Sequence, residues 1–165
     1  MLQMSPSQSP YIPASQSLPE ITFKAFVLSI ILAIVMSAAN AYLGLKIGLT
    51  VSASIPAAVI SMAILKAFKN SNILENNIVQ TAASAGEVVA SGVVFTLPAL
   101  IMMGYWVDFP MWTVTFLVCI GGAMGVLFSI PLRRAFIVQS SLTFPEGIAT
   151  GEILKASDNP SDGGA

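Results

Sequence analysis

Four long runs without a charged side chain constrain this chain more than any other feature. Between successive Asp, Glu, Lys and Arg residues lie 25–45, 47–65, 88–107 and 109–132. Wound as a helix at about 1.5 Å per residue, each run approaches the ~30 Å thickness of a hydrocarbon core. Lipid offers no partner to a backbone N–H or C=O, so a spanning segment of this kind has to bond internally as a helix. Four spans, over about 24–45, 47–66, 78–104 and 110–132, are the simplest count within a transmembrane region at 20–156. The expected fold is all-α integral membrane. Composition agrees, with 55% hydrophobic and 9% charged residues where soluble domains carry roughly 25% charged.

The ends read differently. Residues 1–19 hold four prolines and no cation ahead of an apolar core, which is a disordered cytoplasmic tail rather than a secretory signal. Pro19 and Glu20 then suit a helix start. Residues 157–165 read as a polar tail or loop. Lys24 precedes the first span, Lys66 and Lys69 follow the second, and Arg133 and Arg134 follow the fourth. With four spans all five fall on one side, which the positive-inside rule makes cytoplasmic, so the N-terminus is expected there. The other connections carry only Lys46 and Asp108, with Tyr105 and Trp106 as interfacial anchors.

Several chemistries drop out. Cys119 is the only cysteine and there is no histidine, so thiolate metal sites, disulfides and nucleophile–His pairs have no residues to form them. No metal site, cofactor or catalytic residue is expected. A net charge of −1 without a basic cluster gives no footprint for nucleic acid. Glu146 and Glu152 are the nearest thing to a carboxylate pair, but six residues apart they lie on different faces of a helix.

Polar residues inside the apolar frame therefore carry the functional signal. The stretch IVQTAASAGE (78–87) recurs as IVQSSLTFPE (137–146), and the gapless match runs over 78–92 and 137–151. Seven residues are nearly two helical turns, so Gln80 shares a face with Glu87, and Gln139 with Glu146 if that segment is helical. Pro145 argues against a continuous helix in the second copy. Both copies follow a cytoplasmic charge cluster and are separated by two spans, the arrangement of a parallel repeat. Glu87 has two readings. It is a cavity-facing residue inside the bilayer, where a carboxylate costs several kcal/mol without a partner, or an interfacial residue at a helix start. The small-residue run TAASAG favours the first.

In NAYLGLKIGLT (40–50), Gly44 and Gly48 stand four apart among Asn40, Tyr42 and Lys46. Spacing favours a tight helical hairpin with Asn40 as a cap; the alternative is a broken helix whose backbone lines a site. Gly121 and Gly125 form a small-residue packing face.

Three segments together resemble the oligopeptide transporter family, in the branch that holds bacterial members and the yellow-stripe-like metal-chelate transporters. They are NAYLGLKIGLTVSASIPAAVIS (40–61), NNIVQTAASAGEVVASGVVFTLPAL (76–100) and PLRRAFIVQSSLTFPEGIATGEILKA (131–156), in the family's order over most of 21–156. The resemblance implies a polytopic secondary transporter that imports small peptides or metal–chelate complexes by proton cotransport. It also implies that 40–48, 80–87 and 144–147 help build the translocation core. Family members are several times longer, so the expectation is an N-terminal piece of a larger helical transporter. Its partners would be the bilayer, the remaining helices, a peptide or chelate substrate, and protons. Glu87 would carry the coupling proton, and Asn40 and Gln80 would hydrogen-bond in the cavity. Tyr42, Lys46, Gln139 and Glu146 would lie on the pathway, while Gly44, Gly48, Gly86 and Gly147 would permit unusual backbone. A segment at 135–155 would enter the membrane from the cytoplasmic side. The alternative is a small four-span structural or channel-forming protein that self-assembles around Gly121 and Gly125.

Overall fold

The structure, a computed structural model, describes residues 10–13, 15–68 and 71–158, apart from the side chain at 157. Most of the expected tails, at 1–9, 14 and 159–165, and Lys69 lie outside the described residues. Among the described residues six α-helices follow in order: α1 (Phe23–Ile47), α2 (Ser54–Leu65), α3 (Ile73–Thr96), α4 (Pro98–Met102), α5 (Met111–Arg133) and α6 (Pro145–Asp158). Among the described residues, three stretches are long and apolar enough to cross a membrane: Phe23–Ile47, Ile73–Met102 and Met111–Val138.

Local sequence sets the boundaries. Thr22 caps α1, its hydroxyl accepting from Ala25 N–H at 3.3 Å, and α1 ends where Gly48 turns left-handed at φ 75°, a conformation that favours glycine. Asn72 and Glu75 form a capping box at the start of α3: Asn72 Oδ1 accepts from Leu74 N–H (2.8 Å) and Glu75 N–H (3.0 Å), and Glu75 Oε2 accepts from Asn72 N–H (3.2 Å). Pro98 separates α3 from α4 because it cannot donate to the ladder. Near the end of α5, Pro131 likewise leaves a gap, and the chain widens into a π-turn at Arg134–Val138, closed by Gln139 N–H bonding Arg134 C=O at 3.0 Å.

α1 and α3 lie side by side and parallel. Their starts are tied by Lys24 Nζ to Glu75 Oε2 (3.1 Å) and Thr22 Oγ1 to Glu75 Oε1 (2.5 Å). Further along, Gly86 rests on Ala33 and Ser37, and Gly44 on Val94. This constant offset makes them a matched pair, held as lipid-immersed helices are held, by close approach at small residues. Ala25, Leu28 and Leu32 of α1 pack with Val79 and Ala83 of α3 and with Ala57 and Leu65 of α2.

Because α1 and α3 start together, the run between them has to travel back the full length of the pair. It does so in two parts. Residues 49–53 are non-helical, and only Ser54–Leu65 winds into a helix, so the expected span at 47–66 is a 12-residue helix preceded by non-helical chain. The physical reason lies at Asn40, whose Oδ1 accepts from Val51 N–H at 2.7 Å and so satisfies a backbone donor that a helix would otherwise have bonded. α2 then runs antiparallel to α3, with Ser54 Oγ 3.0 Å from Ser84 Oγ and Ser61 Oγ 3.1 Å from Asn76 Oδ1.

α5 descends along α3, and the chain then leaves helix at 139–144 before α6 begins at Pro145. Leu154 of α6 packs on Ala58 and Met62 beside Ile73, so α6 runs parallel to α2. The start of α1, the start of α3, and the ends of α2 and α5 gather at one end of the bundle, which brings Lys24, Lys66, Arg133 and Arg134 to a common level.

Candidate functional site

Two helices begin half-way along α3. α2 starts at Ser54, opposite Ser84, and α6 starts at Pro145, whose neighbour Glu146 reaches the chain just before α2: the Ser52 hydroxyl donates to Glu146 Oε1. Between α2, α3 and α6 opens a cleft of about 660 Å³, lined by Ser54, Asn77, Gln80 and Thr81 on one side and by Thr143 to Gly147, Thr150 and Gly151 on the other. The sequence dictates this geometry. Gly48 and Asn40 delay α2 to mid-length, and Pro145, lacking an N–H, sits at a helix start where none is needed. Both helices begin at the margin of this cleft and run on beside it.

The structure sorts the residues singled out above. Gln80, Glu146 and Gly147 line the cleft. Glu87 is buried, at 6% exposure, on the flank of α3 that carries Val79 and Ala83 against α1. Its carboxylate accepts from Ser91 Oγ at 2.9 Å and forms no ion pair among the described residues. Asn40 is buried too, but it does not line the cleft: it braces the 49–53 stretch through Val51 and donates to Met36 C=O at 3.4 Å. Tyr42 is 66% exposed and, with the exposed Lys46, stands near the far end of α1, away from the cleft. Gln139 is exposed just after the π-turn. Only Gly48 of the four singled-out glycines has a positive φ. Gly44 and Gly86 are contact points for helix packing, and Gly147 lies within the first turn of α6 with room for a methyl group.

The two copies of the internal repeat have different structures. Residues 78–92 are continuous helix, whereas 137–151 pass from π-turn through non-helical chain into α6. A second groove, about 920 Å³, separates α3 from α5, and Gly121 and Gly125 line it.

Comparison with known proteins fixes the kinship. Residues 20–163 match the family model described as OPT oligopeptide transporter protein. The chain belongs to the oligopeptide transporter family. Among curated proteins, one from Haemophilus influenzae, provisionally named an oligopeptide transporter, is 61% identical over 106 residues, covering 64% of this chain and 16% of its own length. The chain thus spans about a sixth of the length of that relative. No solved structure matches.

Within this member of the family, four polar residues of the structure escaped sequence reasoning. Ser52 and Ser54 meet Glu146 and Ser84 only through contacts 94 and 30 residues apart in sequence, so no local pattern marks them. Thr150 also lines the cleft, 4% exposed. Glu75, wholly buried between Lys24, Thr22 and Asn72, had a readable signal, since Asn followed three residues later by Glu ahead of an apolar run is the capping-box pattern.

Proposed function

We propose that this chain supplies part of the translocation pathway of a secondary transporter that imports oligopeptides or metal–chelate complexes by proton cotransport. One observation carries the reading beyond family membership: two helices, α2 and α6, start half-way along a spanning helix at the margin of a cleft lined by Ser54, Gln80 and Glu146. Transporters place such discontinuous helices at the bilayer midplane, where unpaired backbone groups meet substrate and coupling ions. Non-helical backbone at that depth is tolerated where it lines a cavity or is covered by protein.

In this reading the end bearing Lys24, Lys66, Arg133 and Arg134 faces the cytoplasm, and the N-terminus lies there. Substrate meets Gln80 and Glu146 in the cleft. Glu87 carries the coupling proton. Its support is its burial on α3, with Ser91 Oγ donating to its carboxylate and no ion pair to it among the described residues. Alternating access would shift the α1–α3 pair against the α2 and α6 half-helices.

Uptake by proteoliposomes of the complete transporter tests this. Labelled di- and tripeptides are expected to accumulate when the outside is acidified, and Glu87→Gln is expected to transport without responding to the gradient. Peptide uptake that ignores the pH gradient in the parent protein would refute proton coupling, and an unchanged pH response in Glu87→Gln would remove Glu87 from that role.

A further inference from the structure

Resting on that transport reading, we propose that the stretch ahead of α1, residues 10–13 and 15–22, is a strap that latches the end of α6 to the start of α3. It holds the α2–α3–α6 cleft closed at the end of the bundle where α1 and α3 begin, and release at Tyr11 lets that end open.

The strap has a fixed end and a releasable one. At the fixed end Thr22, the N-cap of α1, donates to Glu75 Oε1, and Lys24 just beyond it pairs with Glu75 Oε2. The Glu75 carboxylate is wholly buried, and breaking a buried pair strands a charge. Asn72 adds a second tie, since its Oδ1 caps α3 while its Nδ2 donates to Pro19 C=O at 2.9 Å. At the other end Tyr11 Oη donates to Asp158 Oδ2 at 3.1 Å, and Lys155 Nζ stands 5.9 Å from the centre of the Tyr11 ring. These contacts are exposed to water, where hydrogen bonds and cation–π contacts are weak. One end is therefore an anchor and the other a latch.

Between its ends the strap is stiff but not packed down. Pro10, Pro13 and Pro19 each fix φ, and Gln16 N–H bonds Pro13 C=O at 2.9 Å. Ile12 and Leu18 face Leu74 across a hollow of about 360 Å³, so close packing does not hold this stretch to the start of α3.

What the latch restrains is one wall of the cleft. Leu154, one turn before Asp158, lines the cleft and packs on Ala58 and Met62, with Ile73 and Ile153 alongside. On the opposite wall Asn77 lines the cleft one turn beyond Ile73. The cluster around Leu154 is wholly apolar and closes the cleft next to the strap. Opening the cleft there moves α6 away from α2 and α3, and that movement breaks the Tyr11 contacts first.

The test uses the complete transporter in lipid nanodiscs, with spin labels on Ser71→Cys and Ala156→Cys in an otherwise cysteine-free background. Ser71 lies just ahead of α3 and Ala156 is exposed near the end of α6, so the distance between the labels separates a closed from an open end. Tyr11→Ala should raise the open-to-closed ratio by about threefold to tenfold, the scale of one exposed hydrogen bond and a cation–π contact. Tyr11→Phe, which keeps the ring, should raise it by a smaller factor. An unchanged distance distribution in Tyr11→Ala overturns the strap. In proteoliposomes, linking Tyr11→Cys to Asp158→Cys with a bis-methanethiosulfonate reagent should stop trialanine uptake, and cleavage by reductant should restore it. Uptake at the parent rate with the link in place overturns the gating role. A parent that takes up no peptide overturns the transport reading, while the label distances still decide whether the strap latches α6.

Discussion

The closest approach between α1 and α3 is also the sharpest test of their packing. A Cβ added at Gly44 would stand 2.6 Å from Val94 Cγ1. Ordinary carbon contacts begin near 3.4 Å, so the two helices would have to separate by most of an ångström, or Val94 would have to turn. Valine in a helix has essentially one χ1 rotamer, which closes the second route. Gly44→Ala is therefore expected to destabilise the α1–α3 pair by about 1–3 kcal/mol, the usual range for an overpacked site. Helix propensity would pull the other way by about 1 kcal/mol, so the observed loss should be about 0–2 kcal/mol. Removing the obstacle supplies the control. Val94→Ala alone should be mildly destabilising, and in the double variant alanine at position 44 should become neutral or stabilising. Thermal unfolding of the four proteins in detergent reads the cycle. Additive effects, with no coupling between positions 44 and 94, would refute this packing geometry, because contacting residues couple.

Two further perturbations follow from buried polar groups. Glu75→Ala removes the N-terminal capping partner of α3 and takes the carboxylate away from Lys24. Since the Lys24 side chain stays 24% exposed, the expected cost is about 2–3 kcal/mol, below the ~3–5 kcal/mol of a fully buried broken pair, and thermal unfolding in detergent measures it; an unchanged transition would rule out the buried ion pair. Asn40→Ala strips the acceptor from Val51 N–H, with an expected loss of about 1–3 kcal/mol and faster hydrogen exchange confined to 49–53, a pattern that uniform loosening of α1 would contradict.

How much was legible depended on whether a rule was local. The charge-free runs located α1, α5 and the last part of α3, which also carries Glu75 and Glu87, because lipid demands length and lack of charge together. The run 47–65 satisfied the same rule yet folded otherwise, because Gly48 and the Asn40–Val51 bond act on a backbone that hydropathy does not see. The seven-residue Gln–Glu interval correctly put Gln80 and Glu87 on neighbouring positions of one helix face. In the second copy the same interval lost its meaning once Pro145 became a helix start. Glu146 reached the cleft, while Gln139 stayed behind near the π-turn. Ser52, Ser54 and Thr150 join the cleft through tertiary contacts alone, which no spacing encodes.

The short α2 has a consequence for biogenesis. Twelve residues rise about 18 Å, roughly half of what a translocating machinery reads as a span, and 49–53 leave backbone groups that lipid cannot bond. This run gains its place from Asn40 on α1 and from Ser84 and Val79 on α3, so it is expected to settle only after α3 has been synthesised. Chains ending shortly after α2 should then leave their C-terminus on the far side of the membrane, and chains extended through α3 should bring 66–71 back, a difference that glycosylation tags report. Retention of the same topology at both lengths would mean that α2 inserts unaided. Otherwise the order of synthesis is itself part of how the cleft is built: two spans have to wait in the bilayer before the segment between them can close the space they share.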